Sequence, residues 1–84
     1  MLHRLESELK IRGFSADTIK SYMFHNQKFS ETLNKHPKEV TEREIKEYLG
    51  GIISQNNYAP STIALTRAAL VFYHKEGLGK NIKI

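Results

Sequence analysis

The side chains able to do chemistry are few in this chain of 84 residues, and they do not gather. The four histidines, His3, His25, His36 and His74, show no i, i+4 pair, and no cysteine exists to complete a zinc set. Without cysteine there is also no disulfide framework, which suits a reducing compartment. Glu42, Glu44 and Glu47 resemble paired carboxylates, yet Arg43 and Lys46 lie among them, as on a solvated helix face. Gly50-Gly51 lacks the lysine and hydroxyl residue of a phosphate-cradling loop. Tyr22, Tyr48, Tyr58 and Tyr73 sit in no motif that would make one of them a nucleophile. The expectation is a chain without catalytic, metal or cofactor chemistry of its own.

A different chemistry fits two other groups. Thr18, Lys20, Ser21, His25 and Lys28 form one, with Asp17 at its start; Ser61, Thr62, Thr66 and Arg67 form the second, with Leu65 among them. Hydroxyls, an imidazole and cations with few acids can bond phosphate oxygens and base edges. Lysines suit phosphate; Ser21, Thr66 and Arg67 suit base edges. The plain alternative is an ordinary solvated surface.

Helices must position these groups. No stretch alternates in the strand manner, while apolar residues recur at helical spacing between capping signals. A first helix is expected over about Leu2 to Ile11, ended by Gly13. Ser15 caps a second, Ala16 to about Asn34, with Ile19, Tyr22, Met23, Phe29 and Leu33 facing inward. Thr41-Glu42-Arg43-Glu44 is a capping box opening a third helix that reaches about Ser54. Ile45, Leu49, Ile52 and Ile53 face inward there, beside Tyr48. Gly50-Gly51 weakens the middle of this helix and marks an early end or a close approach of another helix. Gln55-Asn56-Asn57 is a turn, and Pro60 opens a fourth helix running to about Lys75, with Ile63, Leu70, Val71 and Phe72 or Tyr73 packed. Lys80 to Ile84 has no element of its own. The expectation is an all-α bundle of four helices in one domain, 1–79, with 80–84 the start of a linker or a disordered tail. No apolar run approaches the ~20 residues of a membrane span.

One phrase occurs twice. "FSADTIKSY" (14–22) and "YAPSTIALT" (58–66) share aromatic, small, any, polar, Thr, Ile. Two helix starts with the same capping grammar account for the likeness, the aromatic acting as a staple. The charge distribution adds a second reading. Net charge is +4 overall: residues 1–14 and 15–35 each carry +1, residues 36–57 carry −1 and residues 58–84 carry +3. Both copies of the phrase stand in basic segments, and an acidic helix separates them. Such a balance suits an anionic partner.

"LESELKIRGFSADTIKSYMFHNQKF", "VTEREIKEYL" and "YAPSTIALTRAALVFYHKEGL" together resemble the N-terminal core-binding domain of tyrosine recombinases, the phage integrase and Xer class. The resemblance runs from about Leu5 to Leu78. It is carried by Ser15, Thr18, Ile19, Tyr22, Phe29, Thr41, Ile45, Tyr48, Leu49, Ser61, Thr62, Ile63, Ala69, Leu70, Phe72 and Tyr73. It departs at Asn26, where relatives often have an aliphatic residue, and at Leu65, where many have a polar one.

The resemblance implies a SAM-like helical bundle forming half of a clamp on double-stranded DNA. The second and fourth helices would face the major groove, and Thr18, Lys20, Ser21, His25, Lys28, Ser61, Thr62, Thr66 and Arg67 would carry the contacts. It also implies a C-terminal catalytic domain outside these residues, and other recombinase protomers as partners on DNA. A monomeric, cytoplasmic, non-catalytic domain is expected. The rival readings are a SAM-like protein–protein module and a helix-turn-helix regulator.

Overall fold

α1, His3–Ile11, buries Leu5 and Leu9 completely, with Leu2 just before it. It closes in a Schellman turn: Gly13, at φ +79°, donates to the Lys10 carbonyl, and Phe14 donates to that of Leu9 at 3.0 Å. Phe14 thus ends one helix and begins the next. Its ring lies 5.7 Å from Tyr22 and 5.5 Å from Phe72, which sets the angle at which the chain turns. These descriptions come from a computed structural model that describes residues 2–55 and 58–84.

α2, Ala16–Leu33, starts at the Ser15 cap, whose Oγ accepts from the Thr18 amide, and stops at Asn34, which is left-handed at φ 53°. A short 3₁₀ turn, Pro37–Glu39, leads to α3, Glu42–Ser54. Both halves of the capping box form: the Glu44 amide donates to Thr41 Oγ1 at 3.2 Å, and the Thr41 amide donates to Glu44 Oε1 at 3.0 Å. Gly50 and Gly51 neither end the helix nor admit a neighbour, since a Cβ at either would meet nothing within 4 Å. Leu49 and Ile52, buried on either side of them, hold the helix through the pair. Ile53, expected inside, is 57% exposed, because it lies ~100° around the helix from Ile52. The expected turn at Gln55 lies partly outside the described residues, at Asn56 and Asn57.

α4, Pro60–Phe72, begins with Pro60 in its first turn and Ala59 as a cap with no side-chain bond. It is shorter than expected. From Tyr73 to Gly77 the coil widens into a π turn, closed by Leu78 donating to the Tyr73 carbonyl at 2.9 Å. Gly77 suits that turn because a Cβ there would stand 2.7 Å from the Tyr73 ring.

Two apolar clusters make the core. Phe29, Val40, Ile45, Leu49, Ile52, Leu70 and Ile82 form one; Leu2, Leu5, Leu9 and Tyr73, with Phe14, Ile19, Tyr22 and Phe72 around them, form the other. Ile82 belongs to the segment expected to lie outside the domain. That segment has no helix, but it is docked. Lys80 Nζ donates to the carbonyls of Pro37 and Val40 at 2.6 and 2.7 Å, and the Lys83 amide donates to Glu42 at 2.6 Å. The amide draws the Glu42 carboxyl below its usual range, while burial lowers the Lys80 ammonium.

Candidate nucleic-acid interface

α2 and α4 are packed antiparallel. Tyr22 meets Phe72 at 5.8 Å between rings, Asn26 bonds Ala69, His25 meets Thr66, and Lys28 meets Tyr58. Residues rise along one helix as they fall along the other. The two copies of the repeated phrase therefore open helices at opposite ends of the pair. In each copy the aromatic precedes the cap and the isoleucine amide bonds the cap carbonyl, Ile19 to Ser15 and Ile63 to Ala59. Their likeness is capping grammar carried to the same depth twice, and the two N-termini do not converge on one anion.

What does converge is a seam along one edge of the pair. Thr66 Oγ1 donates to the Thr62 carbonyl at 2.9 Å and lies 3.2 Å from His25 Nδ1. A hydroxyl has a single hydrogen, so His25 is the donor across the seam and its Nε2 is left as an acceptor. Burial, then the Lys28 charge, lower the His25 imidazole from its ordinary value. Further along, Lys28 Nζ donates to the Tyr58 hydroxyl at 3.0 Å and lies 5.4 Å from that ring's centre. The hydroxyl bond raises the affinity of Lys28 for its proton.

The expected contact residues divide accordingly. Ser21, His25, Lys28 and Thr62 flank the seam, with Ser61 exposed at the first turn of α4. Thr18 is half-buried, and its hydroxyl accepts from Ser15 Oγ at 2.9 Å within the cap. Thr66, expected on the exposed face, is only 3% exposed, because α2 lies over it. Lys20 is exposed, but stands ~140° around α2 from His25. Arg67 is exposed on the flank of α4 away from the seam, in an open groove with Ala68, Val71, Lys75 and Ile84.

Two residues escaped the sequence reading. Asn26 is buried at 1% exposure and clamps the helices: its Nδ2 donates to the Tyr22 carbonyl at 2.9 Å and to that of Ala69 at 3.0 Å. Its departure from the relatives' aliphatic residue was the available signal. Phe24 is 59% exposed on the outer face of α2. The signal there was an aromatic with a lysine four residues to either side.

Charge is arranged unevenly. On or just past α1 and on α3, four cations meet carboxylates one turn away: Lys10 with Glu6, Arg12 with Glu8, Arg43 with Glu47 and Lys46 with Glu42; Arg4 of α1 has no such partner among the described residues. Lys35, just past α2, pairs with Glu44, and that bond lowers the Glu44 carboxyl. Among the described residues, no carboxylate pairs with Lys20, Lys28, Arg67 or Lys75. No group of histidines and carboxylates there could hold a metal ion, and no helix is long and apolar enough to cross a membrane.

Four helices without strands among the described residues define a small all-α domain of the SAM-like kind. Residues 1–84 match the family described as phage integrase, N-terminal SAM-like domain, and the chain belongs to it. Comparison with curated proteins and with solved structures gave no match.

Proposed function

We propose that this chain is the DNA-binding N-terminal domain of a tyrosine-type site-specific recombinase, holding duplex DNA at a recombination half-site through α2 and α4. Membership of the integrase family supports an integrase role. The observation that carries the DNA reading is the charge arrangement: Lys10, Arg12, Arg43 and Lys46, on or just past α1 and on α3, each meet a carboxylate one turn away, while among the described residues Lys20 and Lys28 of α2 and Arg67 of α4, like Arg4 of α1, meet none. Free cations release counterions on meeting phosphate; paired ones gain less. Lys28, Lys20 and Lys75 contact the backbone in this reading. Ser21, Ser61 and Thr62, and Arg67 from the other flank, are the polar groups within reach of bases. Strand cleavage belongs to a second domain, and the protomers assembled on the site are the further partners.

Amide shifts on adding a duplex test this. Residues 15–28 and 60–68 move most, and Glu42 to Leu49 stay nearly still. With about four to six phosphates engaged, log K falls against log salt with a slope near −4 to −5. Largest shifts in α3, or an affinity indifferent to salt, refute the reading. Self-association without DNA favours a protein–protein module instead.

A further inference from the structure

α2 carries an exposed aromatic that the core does not need. Phe24 is 59% exposed, and Lys20 and Lys28 stand one turn before and after it. Four residues advance a helix by ~40° beyond a full turn, so the two lysines splay to opposite sides of the ring. The ring is not loose. It meets the His25 imidazole edge to face at 5.3 Å and 75°, and His25 is bonded in turn to Thr66 of α4. Asp17 and Glu31 stand about two turns to either side of Phe24, and Glu31 shares a shallow groove with Phe24, Gln27 and Lys28. Acids thus bound the patch, and its middle is an apolar plate between two cations.

A lone phenyl on a protein surface is ordinary. A phenyl held in place between two cations without carboxylate partners is suited to one kind of surface. The major groove has phosphate walls and, at each A·T pair, an apolar thymine methyl on its floor. Lys20 and Lys28, eight residues apart, are separated by ~12 Å along the helix, the length of three to four base pairs. Long lysine side chains reach the walls while the shorter phenyl faces the floor.

We propose that Phe24 is a specificity-determining contact, packing on a thymine 5-methyl group while Lys20 and Lys28 engage the flanking phosphates. The proposal rests on the DNA-binding reading above, and the test separates the two. The probes are an alternating A·T duplex and the same duplex with uracil for every thymine, which removes only the methyl groups. The native chain binds the thymine duplex more tightly, by about fourfold for each methyl buried. Phe24→Ala binds both duplexes alike with an unchanged salt slope, and Phe24→Leu keeps part of the preference. Thermal unfolding of both variants stays at the native value, since the ring lies outside the core. Equal, salt-dependent binding of both duplexes by the native chain overturns the proposal and leaves the DNA reading intact. So does a Phe24→Ala protein that keeps the thymine preference. Binding to neither duplex overturns both. A variant that changes only self-association in sedimentation assigns the patch to a protein contact.

Discussion

Asn26 Nδ2 lies 3.0 Å from the Ala69 carbonyl oxygen, and this bond joins the middle of α2 to the last turn of α4 inside the bundle. The same nitrogen also serves the Tyr22 carbonyl, while Oδ1 is buried with no partner. Both carbonyls keep backbone donors in their own helices; that of Ala69 accepts the Tyr73 amide. Removing Asn26 strands neither. Asn26→Leu is therefore expected to lie within about 1 kcal/mol of native in denaturant unfolding. Asn26→Ala leaves a void and costs about 2 kcal/mol. Asn26→Asp places a carboxylate against two carbonyl oxygens and costs about 3 kcal/mol or more at neutral pH. Its loss shrinks as the pH falls and the acid is protonated, whereas the other two variants show no such recovery.

His74 makes the native fold sensitive to acid. It is 1% exposed, donates from Nδ1 to the Leu70 carbonyl at 2.8 Å and leaves Nε2 without a partner. Burial lowers its proton affinity, the carbonyl bond opposes that shift, and the Lys80 charge adds to it. The folded state thus takes up a proton less readily than the unfolded chain. Stability is full above the unfolded value, about 6.5, and declines as the pH falls below it. His25 is shifted the same way and contributes in the same window. Melting temperatures between pH 7.5 and 5 fall for the native protein. His74→Phe, which packs beside Phe29 and Tyr73 without titrating, flattens much of that fall. An unchanged profile in this variant refutes the assignment.

The docked tail predicts a cost for cutting it loose. Ile82→Ala removes a core side chain and lowers stability by about 2–4 kcal/mol. Lys80→Met frees two carbonyls but keeps the stem. Partial exposure limits that loss to about 1–2 kcal/mol. Hydrogen exchange reads the local effect: the Lys83 amide, bonded to Glu42, is protected in the native chain and exposed in both variants. Fast exchange of that amide in the native protein contradicts the docking.

Thr66 and Lys28 part company by assay. Thr66→Val removes a buried hydroxyl that serves Thr62 and His25, and lowers stability by about 1 kcal/mol. Lys28→Ala leaves melting nearly unchanged, weakens binding on every duplex sequence and flattens the salt slope by about 1. A Thr66→Val protein of native stability with altered base preference would restore Thr66 as a direct contact.

The purified chain is expected to leave supercoiled plasmid unrelaxed at any concentration, because among the described residues no nucleophile is positioned by a base. Relaxation by pure protein contradicts the non-catalytic assignment.

Local chemistry made much of this architecture legible. The capping box at Thr41, the Ser15 cap and Pro60 each mark a helix start through bonds within four residues, and α3 runs over the expected residues, Glu42–Ser54. What escaped depends on distant partners. Whether Ile82 is buried is decided by α3 and α4, not by Lys80 to Ile84 themselves. Thr66 looks like a surface threonine until α2 is laid across it, and Asn26 like a surface amide until the Ala69 carbonyl is opposite. The seam was half legible. His25, Lys28 and Thr62 lie along it, but periodicity along one helix does not say which flank its neighbour covers, and Arg67 and Lys20 stand away from it for that reason.

The wide turn from Tyr73 to Gly77 acts as a phase shifter. One additional residue in a coil delays everything after it by ~100°. That delay is accommodated where Tyr73, His74 and Gly77 are all buried, ahead of Lys80 and Ile82 in their seats. A chain shortened by one residue here could coil as a regular helix, yet the segment beyond would emerge rotated, with its isoleucine aimed past the core. Substitutions in this turn are absorbed side chain by side chain; a deletion is transmitted to the docked end of the domain as a rotation.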